Sequence, residues 1–208
     1  MDTLEAVNYI LENNINGCFV ECGVESGAQP KIMAEILLKN NQVRDIWMYD
    51  TFQGLTKPGV NDFTAETATL YKMSSEEVLS YWESSFIDDT HNTWCFTPID
   101  TVKNNINKTG YPEKHLKYVI GDVMKTLEDK GNLPEEISLL RLDTDWYDSS
   151  LKEMEVLFPK VVKGGVVIFD DYFHWDGQRK ATDEYFEKNN ITTKVLQHNQ
   201  KVGFLIKE

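Results

Sequence analysis

Two apolar runs in the second half of the chain each end on aspartates, and this repeated design constrains the fold most. Ile137-Ser-Leu-Leu-Arg-Leu142 has the length and branched content of a buried strand, and it leads into Asp143 and Asp145. Gly164-Gly-Val-Val-Ile-Phe169, with its strand over residues 166–170, repeats the pattern and closes on Asp170 and Asp171. Strands buried on both faces read as continuous apolar runs, and open α/β sheets bind ligands beyond the carboxyl ends of their strands. If the two strands are neighbours, four carboxylates meet in one crevice. Uncompensated, they would repel one another and hold protons more tightly than usual. A hard divalent cation is the simplest compensation.

The same grammar recurs upstream. Cys18-Phe-Val-Glu-Cys22 and Ile46-Trp-Met-Tyr-Asp50 read as strands, and residues 116–120 form a third that runs into Gly121-Asp122. Apolar residues at helical spacing cover residues 3–13, 29–40, 123–130, 149–162 and 178–189, while 192–197 and 202–206 close as an antiparallel pair. Between 51 and 115 the pattern loosens into turns, with helices over 74–86, opened by the capping signal Ser74-Ser-Glu-Glu77, and over 100–108. Strands alternating with helices imply one α/β domain over residues 1–208: a doubly wound, mostly parallel, seven-stranded sheet. The helical insertion after the second strand is the natural lid or acceptor-binding segment.

Composition narrows the partners. A chain of 208 residues, 41% hydrophobic, supports one full core. A net charge of -13 leaves no basic stripe to neutralise phosphates, which argues against nucleic acid. No apolar run approaches the roughly 20 residues of a membrane span, and the first residues lack the basic and apolar segments of a secretion signal. Three cysteines are too few for a disulfide framework, and Cys18 and Cys22 share a strand as small buried hydrophobes. The expectation is a cytoplasmic protein that binds a small molecule, with no nucleic-acid or membrane partner and self-association into a homo-oligomer left open.

Two sites carry chemistry. In the first, Phe19-Val-Glu-Cys-Gly-Val-Glu-Ser-Gly27 takes a strand through Gly23-x-x-x-Gly27 into a helix, a turn that lets backbone approach a ligand. It is neither Gly-x-Gly-x-x-Gly nor a Walker loop, which disfavours a dinucleotide-dependent oxidoreductase. Asp50, ending the second strand, is placed to accept hydrogen bonds from a ribose diol, and Gly121-Asp122 offers a polar edge for an adenine ring. That set suits a nucleoside held without a phosphate cradle, such as S-adenosylmethionine. In the second site, Asp143, Asp170 and Asp171 offer oxygen ligands without paired His or Cys, which suits Mg²⁺, Ca²⁺ or Mn²⁺ rather than zinc. The structural alternative has Asp170-Asp171 capping the next segment and Asp143 paired with Arg141 or Arg179.

Asp50-Thr-Phe-Gln-Gly-Leu55, Gly121-Asp-Val-Met-Lys-Thr-Leu127, Leu140-Arg-Leu-Asp-Thr-Asp-Trp-Tyr147, Gly164-Gly-Val-Val-Ile-Phe-Asp-Asp-Tyr172 and Gly177-Gln-Arg-Lys-Ala181 together resemble the macrocin O-methyltransferase (TylF-like) family. The resemblance implies a class I methyltransferase fold, S-adenosylmethionine as donor, and a Mg²⁺ ion that binds vicinal hydroxyls of a sugar. It implies Asp143, Asp170 and Asp171 as metal ligands and Asp145 as general base. The cofactor site would comprise Glu21, Gly23, Val24, Ser26, Asp50, Thr51, Asp122, Val123 and Asp143. Ala28 departs from the family pattern, which often has a second glycine there. Family members also carry a longer segment before the first strand, so acceptor identity does not carry over.

Alternation in a straight strand would point Asp145 away from Asp143, so its role requires the chain to bend there. His174 is the rival base, and otherwise a loop residue hydrogen-bonded to a carboxylate. A catechol or phenolic-diol O-methyltransferase shares the fold and acids, with Trp82, Trp94, Trp146 and Trp175 available to stack on a flat ring. A non-catalytic nucleoside- or metal-binding module is the remaining reading.

Overall fold

The apolar runs become the central strands of one sheet. In the computed structural model, which describes residues 1–62 and 74–208, the strands are β1 (Cys18–Cys22), β2 (Ile46–Asp50), β3 (Leu116–Ile120), β4 (Ile137–Leu142), β5 (Val161–Phe169), β6 (Leu196–Gln197) and β7 (Gly203–Ile206). Their order is β3-β2-β1-β4-β5-β7-β6. The first five pair in parallel, and β7 and β6 close the edge antiparallel. β4 and β5 are therefore neighbours, in register from Leu139 opposite Val166 to Leu142 opposite Phe169.

Alternation along the strands splits the core in two. Phe19, Met48, Leu139 and Ile168 face one layer with α1 (Thr3–Glu12), α2 (Ala28–Lys39) and α4 (Ile99–Asn107). Val20, Tyr49, Leu140 and Phe169 face the other, with α5 (Val123–Thr126), α6 (Tyr147–Val156) and α7 (Asp176–Lys188). Burial on both faces explains why β4 shows no polar alternation apart from Ser138 and Arg141.

Several boundaries differ from the sequence expectation, among them the strand expected over 192–197, which is only Leu196–Gln197. The helix expected over 149–162 is α6, which ends at Val156 because Pro159 cannot continue it; Phe158–Lys160 forms a 3₁₀ turn instead. The strand expected at 166 begins at Val161, because an irregularity carrying Gly164 and Gly165 inserts extra residues before regular pairing with β4 resumes. The helix expected over 123–130 is only Val123–Thr126, after which Asp129 caps a separate turn by accepting from Gly131 N at 2.9 Å.

Within the excursion between β2 and β3, α4 packs against α2 through Val102 and Ile106, so it belongs to the core layer. α3 (Ser75–Ser84) carries the expected capping box between Ser74 and Glu77. The part of the insertion between 63 and 73 lies outside the described residues. Among the described residues, no helix is long and apolar enough to cross a membrane.

Candidate active site

The carboxyl ends of β1, β2, β4 and β5 open into a cavity of about 240 Å³. At one end Gly23 turns the chain out of β1 with φ +81°, and a Cβ there would stand 2.0 Å from the Asp143 carbonyl oxygen. Only glycine permits this approach of the two strand tips, which Asp143 N seals by donating to Cys22 O at 2.8 Å. Asp50 then organises the turn: its Oδ2 accepts from Val24 N at 2.7 Å and Glu25 N at 3.0 Å, and its Oδ1 accepts from Phe52 N at 2.6 Å. Burial raises the pKa of Asp50, and the three backbone donors oppose that shift. Gly23, Asp50, Thr51, Asp122 and Val123 line this end, with Asp122 also capping α5 through Met124 N.

Three residues expected here stand elsewhere. Strand alternation puts Glu21 on the side of Phe19, beside Arg141 in the β1–β4 register, so it pairs inside the protein. Val24 is buried and contributes its backbone N–H to Asp50. Ser26 presents its carbonyl to Asn105 Nδ2 at 3.2 Å. Glu25 lines the cavity in their place, held at φ +46°.

The acids converge at the other end. Asp143, Asp170 and Asp171 each offer a carboxylate oxygen, and these oxygens lie within 4.8 Å of one another. Arg141, on β4 two residues before Asp143, ties them from inside. Its Nη1 donates to Asp143 Oδ2 at 2.6 Å and Glu21 Oε1 at 2.7 Å, and its Nη2 donates to Asp170 Oδ1. Burial opposes the Arg141 charge, but Asp143, Glu21 and Asp170 outweigh it and hold the guanidinium protonated. The pairing of Asp143 with Arg141 and the convergence of the acids thus coexist, while Arg179 pairs with Asp176. Burial raises the Asp143 pKa; Arg141 opposes the shift, and Asp170 and Asp171 add to it.

The bend that Asp145 requires is present. Asp145 sits at φ +65°, a conformation that ordinary side chains rarely adopt and that costs about 1–3 kcal/mol. It turns the side chain back into the cavity, in side-chain hydrogen-bond contact with Asp171. Burial and the charges of Asp171 and Asp143 raise its pKa well above the usual carboxylate range. His174 is buried behind the cluster: its N donates to Asp171 O at 2.8 Å, its ring lies 4.7 Å from that of Trp175, and burial lowers its pKa. It is not part of the cavity wall.

Glu153, a residue the sequence reading passed over, supports this bend from α6. Its Oε1 accepts from Thr144 Oγ1 at 2.9 Å, fixing the residue between Asp143 and Asp145. Burial pushes the Glu153 carboxyl up to about 8 from 4.5, and Glu21 up to about 8 as well. An acid whose folded pKa is raised adds stability that is complete below its unfolded value and lost as pH rises through the folded one. The wild-type protein is therefore expected to melt at a higher temperature near pH 6 than near pH 9. Glu153→Gln is expected to flatten that slope, by a few kcal/mol across the window; circular-dichroism melts at the two pH values check it.

The described part of the insertion lines the cavity with Gly54, Leu55, Thr56 and Cys95 and is held by partly buried polar contacts. Trp82 Nε1 donates to Leu55 O at 2.8 Å and Trp146 Nε1 to Thr56 O at 2.7 Å. Asp62 accepts from Gly59 N at 2.6 Å and from Tyr147 N, at the start of α6, at 2.5 Å. Trp146 and Trp175 are buried against one another, with Trp94 packed on them, and none of the four tryptophans lines the cavity.

A seven-stranded sheet of this order, with its cavity at the strand tips, is the class I methyltransferase fold. Residues 1–206 match the family described as Macrocin-O-methyltransferase (TylF), and the chain belongs to that family. Among characterised relatives, it is 27% identical over 195 residues to the demethyldecarbamoylnovobiocin O-methyltransferase of Streptomyces niveus, covering 92% of this chain and 66% of that protein. It is 26% identical to an 8-demethyl-8-(2,3-dimethoxy-alpha-L-rhamnosyl)-tetracenomycin-C 4'-O-methyltransferase of Streptomyces olivaceus, over 94% of this chain and 68% of that protein. The chain thus spans about two thirds of the length of these curated relatives. The solved structure of the O-methyltransferase NovP shares the fold with a TM-score of 0.81 at 23% identity, over 99% of this chain and 77% of that one.

Proposed function

We propose that this protein transfers a methyl group from S-adenosylmethionine to one hydroxyl of a vicinal diol on a sugar or glycosylated small molecule, with a divalent cation, Mg²⁺ first, held by Asp143, Asp170 and Asp171. The observation that carries the reading is that these three carboxylates converge at the wall of the same cavity that Gly23, Asp50 and Asp122 line. The donor set is all oxygen and anionic, as a hard cation prefers. The repulsion already raising the Asp143 pKa is what such a cation would relieve. Its chemistry there is to acidify and orient the diol.

The residues of the chain supply the rest. Gly23 lets the backbone come close to the donor, and Asp50 and Asp122 offer acceptors to its polar edges. Asp145, turned into the cavity, takes the hydroxyl proton in its ionised form as the C–O bond forms and the S–CH₃ bond breaks, leaving S-adenosylhomocysteine; burial and the charges of Asp171 and Asp143 raise its pKa, and a bound cation would offset those charges. Positioning by chelation and by the insertion contributes several kcal/mol of the barrier reduction. The sugar reading is favoured over a catechol because the tryptophans are spent on the insertion, and because one relative is named for methylating a rhamnosyl-bearing compound.

The test is S-adenosylhomocysteine release across a panel of sugar nucleotides, glycosides and catechols, with and without EDTA. Turnover of a sugar diol that EDTA abolishes and Mg²⁺ restores is the expected result. Full activity in EDTA would remove the cation from the reaction. A preference for catechols would replace the acceptor class.

A further inference from the structure

A second cation reaches the acid cluster from a distant part of the chain. The turn between β6 and β7 is built by Asn199, whose Oδ1 accepts from Lys201 N at 2.8 Å and Val202 N at 2.9 Å. Phe173 N donates to Lys201 O at 2.9 Å and ties the turn to the loop after β5. From that fixed point the Lys201 ammonium lies 3.1 Å from Asp171 Oδ1 and 3.5 Å from Asp170 Oδ2. Asp170 is thus divided, with Arg141 on Oδ1 and Lys201 on Oδ2.

The two basic residues are not equivalent. The Arg141 side chain is buried, 7% exposed, and bonded to three acids, whereas the Lys201 side chain is 41% exposed and approaches from the cavity side. A Mg²⁺ ion bonds carboxylate oxygens at about 2.1 Å, so it and the ammonium would address the same oxygens from the same side. Like charges that close repel one another, the more so beside a carboxylate as buried as Asp171. Lysine, a flexible point charge on a long stem, can leave; the arginine fork cannot.

We propose that Lys201 is a built-in competitor for the divalent cation. Its ammonium holds Asp170 and Asp171 together, and metal binding must displace it, which keeps the affinity for the ion weak and exchangeable. This rests on the reading of Asp143, Asp170 and Asp171 as a cation site.

The test is Mn²⁺ binding to the full chain, read by electron paramagnetic resonance, for wild type, Lys201→Met, Lys201→Arg and Asp170→Asn. Lys201→Met is expected to bind Mn²⁺ at least about tenfold more tightly than wild type. Lys201→Arg, which keeps the charge, should stay within about threefold of wild type, and Asp170→Asn should lose binding. Unchanged or weaker binding in Lys201→Met, with Asp170→Asn still deficient, overturns the competitor role and leaves the cation site standing. Equal tightening in Lys201→Arg and Lys201→Met also overturns it, because packing rather than charge would be the cause. Absence of Mn²⁺ binding in wild type and Lys201→Met alike overturns both readings.

Discussion

Replacing Asp143 by asparagine is expected to lower kcat by about 10²–10³-fold, while S-adenosylmethionine still binds within a few fold of wild type. The substitution is isosteric, and the Asp143 backbone keeps its bond to Cys22 O, so the junction of the β1 and β4 tips survives. The donor end of the cavity is walled mainly by Gly23, Asp50, Thr51, Asp122 and Val123, none of which changes. What is lost is one of three anionic oxygens that the proposed cation and diol require. The change also removes one of the three acids bonded to Arg141, so some stability is lost even as the repulsion from Asp170 and Asp171 is relieved. Calorimetry with the donor and initial rates of S-adenosylhomocysteine release separate the two effects. An unchanged kcat would take Asp143 out of the chemistry, and lost donor binding would reassign it to the cofactor end.

The largest effect on stability belongs to Arg141. Arg141→Met removes the buried side chain bonded to Glu21, Asp143 and Asp170 together, and leaves Glu21 alone in the interior behind two acids of the cavity wall. Breaking a buried pair by deleting one partner costs about 3–5 kcal/mol, because the stranded charge has no water to replace it. A loss of that size is expected in urea unfolding near neutral pH. Coupling the change with Glu21→Gln should recover part of it, since Glu21, 1% exposed, is the most deeply buried of the three partners. A loss below about 1 kcal/mol, the scale of an exposed pair, would mean that the network contributes little.

Much of this arrangement was legible in the sequence, and the reason is physical. Strands buried on both faces are spelled as apolar runs, so an acid that ends one stands out, and Asp50, Asp143, Asp170 and Asp171 could be found by position alone. That β4 and β5 are neighbours was only a condition of the sequence reading, and their register supplies it. Other features depend on information that a local pattern does not carry. The bend at Asp145 needed for its role is a single left-handed residue, and aspartate tolerates that conformation without announcing it. Lys201 and Glu153 reach the site from a hairpin and a helix face, where charged residues are ordinary. The resemblance implied Glu21 at the cofactor end, and the period of the strand, which a motif match does not read, turns its side chain toward Arg141. The helix after Trp146 was read too long because Pro159 lies within its apolar spacing yet stops it.

Aspartates from two adjoining strand tips are proposed to hold one cation where the methyl donor and the diol meet. Anomalous scattering from crystals grown with Mn²⁺ and S-adenosylhomocysteine tests this most directly. One strong peak is expected within about 2.5 Å of carboxylate oxygens from Asp143, Asp170 and Asp171, beside the bound nucleoside. No peak there, or a peak ligated by other residues while the nucleoside occupies the cavity, would contradict it.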